Sequence, residues 1–269
     1  MVEERPGRNY LTFQFLDDVL LLPRSEWEKK IGGCIAHRIG PLVEYALFDR
    51  ASAQSYLSRS KTIQARTLFR VLQAAPSTRS ARTTSLDARA IEYLKTPYTN
   101  AAFDEPWWIA FCKRLESAIH NAGISGRFAG QLAGTFGEMV SNLVEHSEHP
   151  ESGLVGYQWR QDEFEYVVAD NGIGLLNSLK RHPDYAALVD TGQALDTALK
   201  DGESRHGRQA GRGTGFNILI LNIASHNSYL RFRSGDHCHT IDGTRLSPRL
   251  TRQLGSDFQG FLVSVVCRS

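Results

Sequence analysis

The sequence predicts an α/β protein of the α+β kind, a two-layer sandwich whose mixed, mostly antiparallel sheet carries helices on one face. Three observations predict it. Apolar, β-branched runs at 154–160 and 164–169 flank a polar Gln161-Asp162 tip, the pattern of an antiparallel hairpin. Two more strand-like runs lie at 228–233 and 259–267. Amphipathic patterns at 106–122, 126–146 and 213–225 supply the helical layer.

In chain order, the first run is strand-like, with Leu11, Phe13 and Phe15 alternating, and Val19 to Leu22 is a second apolar run ended by Pro23. Two amphipathic helices are expected over 25–48 and 51–73, with Leu42, Tyr45 and Ala46, then Leu57, Ile63, Leu68 and Val71 as apolar positions. Residues 73–85 are small, polar and basic and read as a linker or exposed loop. In 106–122, Trp107, Ile109, Phe111, Leu115 and Ile119 supply the apolar surface. The hairpin follows the 126–146 helix, and 176–210 reads as a mobile stretch before the 213–225 helix. A boundary is expected near 103, between a mainly helical interaction or dimerisation region, 1–103, and a second domain, 104–269.

Composition excludes several classes. The chain has 269 residues, 41% of them hydrophobic and 22% charged, which is too apolar for disorder. With 31 basic and 29 acidic residues, it is not built around nucleic-acid phosphates or a membrane surface. No apolar stretch approaches the roughly 18 residues of a membrane span, and the polar start MVEERPGRNY is not a secretory signal. Cys34, Cys112, Cys238 and Cys267 are scattered and read as free thiols in a reducing cytoplasm. His237-Cys238-His239 has metal-ligand residue types but no second cluster at finger spacing, and on a strand Cys238 would point away from both histidines, so it reads as a polar turn beside a strand rather than a metal site. His37 reads as a surface or helix-end histidine. Charge is uneven: 1–103 holds 15 basic and 10 acidic residues, whereas 104–269 is slightly acidic.

Three motifs carry chemistry. In Glu138-Met139-Val140-Ser141-Asn142-Leu143-Val144-Glu145-His146, about 100° per residue puts Glu138, Asn142, Glu145 and His149 on one helix face. Phe128, Leu132, Phe136, Met139, Val140 and Leu143 lie on the other. A carboxylate one turn from an amide suits Mg²⁺ chemistry, since the amide carbonyl is a hard oxygen ligand and the carboxylate can orient a nucleophile. Alone, this face is also that of a solvated helix. In Val167-Val168-Ala169-Asp170-Asn171-Gly172-Ile173-Gly174, an apolar strand ends in a carboxylate that can accept from a base's amine. Glycines then let the backbone turn sharply. In Gly211-Arg212-Gly213-Thr214-Gly215-Phe216, alternate glycines open a helix, an arrangement of N–H groups that suits phosphate. The polar 201–210 segment before it is not the strand that a dinucleotide fingerprint needs.

In this order and spacing the motifs resemble the nucleotide boxes of the GHKL ATPase superfamily, the Bergerat-fold group of gyrase, a heat-shock chaperone, MutL and the sensor and anti-sigma kinases. The resemblance covers about 105–269. It implies a Bergerat-type sheet with ATP and Mg²⁺ as cofactors. It implies Glu138 as general base, Asn142 as magnesium ligand and Asp170 as the adenine-reading aspartate. Gly172 and Gly174 would hinge an ATP lid over 176–210, with Lys180, Arg181, Arg205 or Arg208 near the phosphates. Gly211, Gly213 and Gly215, with the Thr214 hydroxyl, would bind phosphate. His146 sits where relatives often carry a basic or aromatic residue, and both phosphate contact and a plain helix-end role stay open.

The expected function is a Mg-ATP-binding regulatory protein of the histidine-kinase-like type, coupling ATP binding or hydrolysis to a protein partner. A serine/threonine protein kinase of the anti-sigma type and a nucleotide-gated binding module without turnover are the alternatives. Residues 1–103 carry no phosphoacceptor helix pair and no transducer domain. They are expected to hold a partner or form a homodimer, with no nucleic acid and no membrane involved.

Overall fold

Among the described residues, six strands form one sheet: β1 (Ser80–Ser85), β2 (Arg89–Lys95), β3 (Leu154–Arg160), β4 (Glu163–Asp170), β5 (Ser228–Asp242) and β6 (Arg249–Arg268). Their order is β1-β2-β3-β4-β6-β5, and every pair is antiparallel. The computed structural model describes residues 9–74, 80–85, 89–96, 99–199, 223, 227–245 and 249–269. The chain is an α+β sandwich, as its alternation predicts.

The sheet is apolar on both faces. Leu94, Val155, Val168 and Val263 are successive register partners across four strands. They share a core with α6 (Pro106–Asn121) and α7 (Gly126–His146), through Phe111, Leu115, Leu132, Phe136, Val140 and Leu143. In the next row, Leu154, Ala169 and Leu262 face the other way. There they meet a second helical layer: α1 (Phe13–Leu20), α2 (Arg24–Ile31), α3 (Ile39–Phe48), α4 (Arg50–Arg59) and α5 (Ile63–Gln73). Helices therefore cover both faces rather than the one face expected, because the N-terminal helices bury the second apolar face of the sheet.

Several N-terminal expectations are corrected. The 11–15 run is not a strand. Thr12 caps α1, its Oγ1 accepting from the Phe15 N–H at 3.1 Å, and Leu16, Val19 and Leu20 are buried at helical spacing. The expected 25–48 helix is two helices, α2 and α3, separated at Gly32 and Gly33. The 51–73 helix is also two, because Thr62 caps α5 and ends the run after Ser60. The expected linker at 73–85 contains β1, and β2 pairs with β3 across the expected boundary near 103.

Buried charge also joins the two parts. Arg231 on β5 has no exposed surface. It donates to Asp17 on α1 at 2.6 and 3.1 Å and to Glu44 on α3 at 2.9 Å twice. Arg233 donates to Glu44 and, at 2.7 Å, to Ser256 Oγ. Arg252 donates to Asp17. Burial pushes the Glu44 carboxyl up, but the Arg231 and Arg233 charges outweigh it and hold the group below its ordinary value. A chain beginning at 104 would strip these arginines of Asp17 and Glu44 and would bare Leu154, Val167, Ala169 and Leu262 to water. Each of these leucine and valine side chains is worth about 1.5–3 kcal/mol. Deleting 1–100 is therefore expected to give an unfolded product, read as loss of a cooperative thermal transition by circular dichroism.

Toward the C-terminus, β5 and β6 run far beyond the expected 228–233 and 259–267. His237-Cys238-His239 is not a turn but lies within β5. Cys238 is buried, 3.7 Å from Arg231 Nη1, whereas His239 Nδ1 meets Thr251 Oγ1 at 2.7 Å. His37 is half-buried and packed at a tilt against Tyr10, with ring centroids 4.9 Å apart. No described helix is long and apolar enough to cross a membrane.

Candidate functional site

α7 is amphipathic in the way the sequence predicts, and its bounds coincide with the expected 126–146. Leu132, Phe136, Met139, Val140 and Leu143 are buried against α6 and the sheet. Glu138, Asn142 and His146, four residues apart, are only partly covered. Glu138 lies close enough to Tyr166 on β4 that its charge adds to burial in raising the phenol's pKa. His149 does not share this face. The helix ends at His146, and His149 sits in the turn beyond it, with Nδ1 3.1 Å from Glu151. Glu145 accepts from Ser141 Oγ at 3.3 Å and lies 4.0 Å from His146 Nε2.

Asp170 is the last residue of β4, on the sheet face that α7 covers. It is 1% exposed. Its Oδ1 accepts from the Gly172 N–H at 2.6 Å. Its Oδ2 is buried and has no partner among the described residues. Burial pushes this carboxyl up to about 7, against the opposing pull of the Gly172 and Phe261 N–H groups and the His149 charge. A buried acceptor without a donor costs about 1–3 kcal/mol, so the site favours a ligand that donates there.

The loop after Asp170 is clasped from three sides. The Ile173 N–H donates to the Ser147 carbonyl, just past the end of α7, at 3.0 Å. Gly172 packs so closely on Ser147 that a Cβ there would overlap its carbonyl oxygen. Ser234 Oγ donates to Gly260 O at 2.7 Å and accepts from the Leu175 N–H at 3.0 Å. Gly260, at φ 90°, is the glycine that β6 needs here, since a Cβ would run into Asp170. Asn171 donates through Nδ2 to Leu47 O at 3.1 Å, which ties the loop to α3 in the other layer.

Gly174 opens α8 (Gly174–Leu179), and α9 (Thr191–Ala198) follows. The expected lid is thus partly folded: Leu179, Tyr185 and Ala194 form a small core of their own. Arg181, expected near phosphate, pairs with Glu148 at the end of α7, and Lys180 is exposed. Arg205, Arg208, Gly211, Gly213, Thr214 and Gly215, with nearly all of the expected 213–225 helix, lie outside the described residues.

The structure therefore brings together two of the three motifs, the α7 face and the Asp170 loop. Sequence reasoning missed Ser147, Ser234 and Gly260, which lie outside the three motifs and hold the loop from around it. Gly260 sits alone in a strand, a signal of close backbone approach. Among the described residues no cluster of three metal-ligating side chains occurs. Compared with family models, with curated proteins and with solved structures, the chain matches none.

Proposed function

We propose that the chain is a Mg-ATP-binding regulatory protein of the histidine-kinase-like, GHKL type, coupling ATP binding or hydrolysis to a protein partner. One observation carries the reading: Asp170 ends β4 beneath α7 with a buried oxygen that has no donor among the described residues. Adenine's exocyclic amine is such a donor. The residues present fit the nucleotide. Asp170 would read the base, and Asn142, a hard oxygen donor on the partly open α7 face, would hold Mg²⁺. The ion would offset phosphate charge. Glu138, one turn before Asn142, would orient a water or a partner's hydroxyl. Gly211, Gly213 and Gly215, which lie outside the described residues, are the proposed phosphate donors.

The scattered free cysteines support a reducing compartment, and we place the chain in the cytoplasm. Asn171, which reaches Leu47 on α3, supports a route by which the nucleotide loop and the N-terminal layer act on each other.

Glu138→Ala is expected to keep ATP affinity within about threefold and to lose turnover by at least a hundredfold, within the range a positioned general base contributes. Incubation with γ-labelled ATP, with and without a lysate, tests the function. Labelled free phosphate supports hydrolysis, and a labelled partner protein supports the kinase form of the same reading. Binding without either supports a nucleotide-gated module, and no binding overturns the reading.

A further inference from the structure

Three arginines converge on one carboxylate where β4 begins. Glu163 is paired by Arg38, just before α3, at 2.6 and 2.7 Å. Arg160, at the end of β3, reaches it at 3.1 Å. Arg268, at the end of β6, also reaches it at 3.1 Å. Three guanidinium groups carry far more donors than two carboxylate oxygens can accept. The neighbours do not balance the charge. Glu165 lies 4.0 Å from Arg38, but it is fully buried and its carboxyl is pushed toward the neutral form. Burial and the Arg160 and Arg38 charges push His37 toward neutrality too. Asp242 is occupied by Arg245, 2.9 Å away.

This excess of positive charge borders a cavity of 340 Å³, near the lower end of the size range of ligand pockets. Arg38 and Arg268 line it, as do Glu165 and Asp242, the carboxylates just accounted for. Phe13, Tyr229, Pro41 and Val266 supply aromatic and apolar walls. The cavity is remote from Asp170. It lies at the other end of β4, roughly 23 Å of strand away, and on the other face of the sheet.

We propose that this cavity is a binding site for a small organic acid, an aromatic carboxylate or phosphate monoester. Its acid group pairs with Arg38 and Arg268, and its body lies against Phe13 and Tyr229. Guanidinium is the cation best matched to both acids, through paired N–H donors. The site stands apart from the nucleotide reading and does not depend on it.

The test is calorimetric titration of the full chain with phenyl phosphate, benzoate and, as the uncharged ring, benzyl alcohol. At least one acid is expected to bind and the alcohol is not, with affinity falling at least tenfold between 50 and 500 mM salt as an ionic contact requires. Phenyl phosphate binding tighter than benzoate assigns a phosphate monoester, and the reverse assigns a carboxylate. Arg268→Gln is expected to weaken the acid at least tenfold, whereas Asp170→Asn and the distant Arg59→Gln leave it unchanged. The salt series needs no variant and so stands even if Arg268→Gln fails to fold. Acids that do not bind at millimolar concentration, or alcohol that binds equally, would overturn the proposal. So would loss of acid binding in Asp170→Asn, which would place the acid in the nucleotide site.

Discussion

Asp170→Asn is expected to abolish ATP binding while leaving the fold intact. Asparagine has nearly the same shape, and its single carbonyl oxygen can keep the 2.6 Å bond from the Gly172 N–H. Its amide nitrogen then replaces Oδ2, which has no partner among the described residues, so a donor meets the adenine amine, itself a donor. Losing a charge-assisted hydrogen bond and leaving a donor unmet together cost about 3 kcal/mol or more, over a hundredfold in affinity. The carboxyl of Asp170 is pushed up to about 7, so the folded state holds a proton that the unfolded chain releases near 3.8. Wild-type stability therefore falls between those two pH values relative to the variant. Above pH 7 the variant is expected to be at least as stable as the wild type. ATP affinity of the wild type is expected to rise from pH 6 to 8, as the carboxylate forms. Calorimetry for binding and urea unfolding for stability, both across pH, check these results.

Glu44→Ala is expected to destabilise the protein by about 3–5 kcal/mol. Removing one member of a buried ionic cluster leaves charge uncompensated in the interior. Here Arg231 and Arg233, both with no exposed surface, would share Asp17 alone with Arg252. Replacing Arg231 and Glu44 together by methionine removes one charge of each sign. The double variant is expected to be more stable than either single one. Because the Glu44 carboxyl is held below its ordinary 4.5, its contribution is complete above that pH and is lost as pH falls through the folded value. Glu44→Gln should flatten the acid limb of the stability curve. Denaturant midpoints between pH 3 and 7 measure both effects.

Where the chain forms its own local signal, sequence and structure coincide. α7 carries its apolar and polar faces within 21 residues, and β3 and β4 are joined by a two-residue tip at Gln161 and Asp162. Where burial depends on distant partners, the signal is misleading. Arg231 and Arg233 look like the wet face of a strand, yet their carboxylates come from residues 187 and more positions away. β1, with Ser80, Arg82, Thr83 and Thr84, is an edge strand with little apolar alternation, so it resembles a loop. Leu11, Phe13 and Phe15 alternate by accident, and Thr12 with Leu16, Val19 and Leu20 held the correct helical signal. Among the candidate residues, the partly covered helix face of Glu138 and Asn142 and the strand-end place of Asp170 were legible because each sits at a patterned position. Ser147, Ser234 and Gly260 were not, because they act only through the fold.

Parallel titration with Mg-ATP and Mg-GTP tests the central claim most directly. The C6 position of adenine carries a donating amine, whereas that of guanine carries an accepting oxygen, which the Asp170 carboxylate repels. ATP is expected to bind at least a hundredfold more tightly than GTP. Equal affinity for the two nucleotides, or no binding of ATP, would contradict the account.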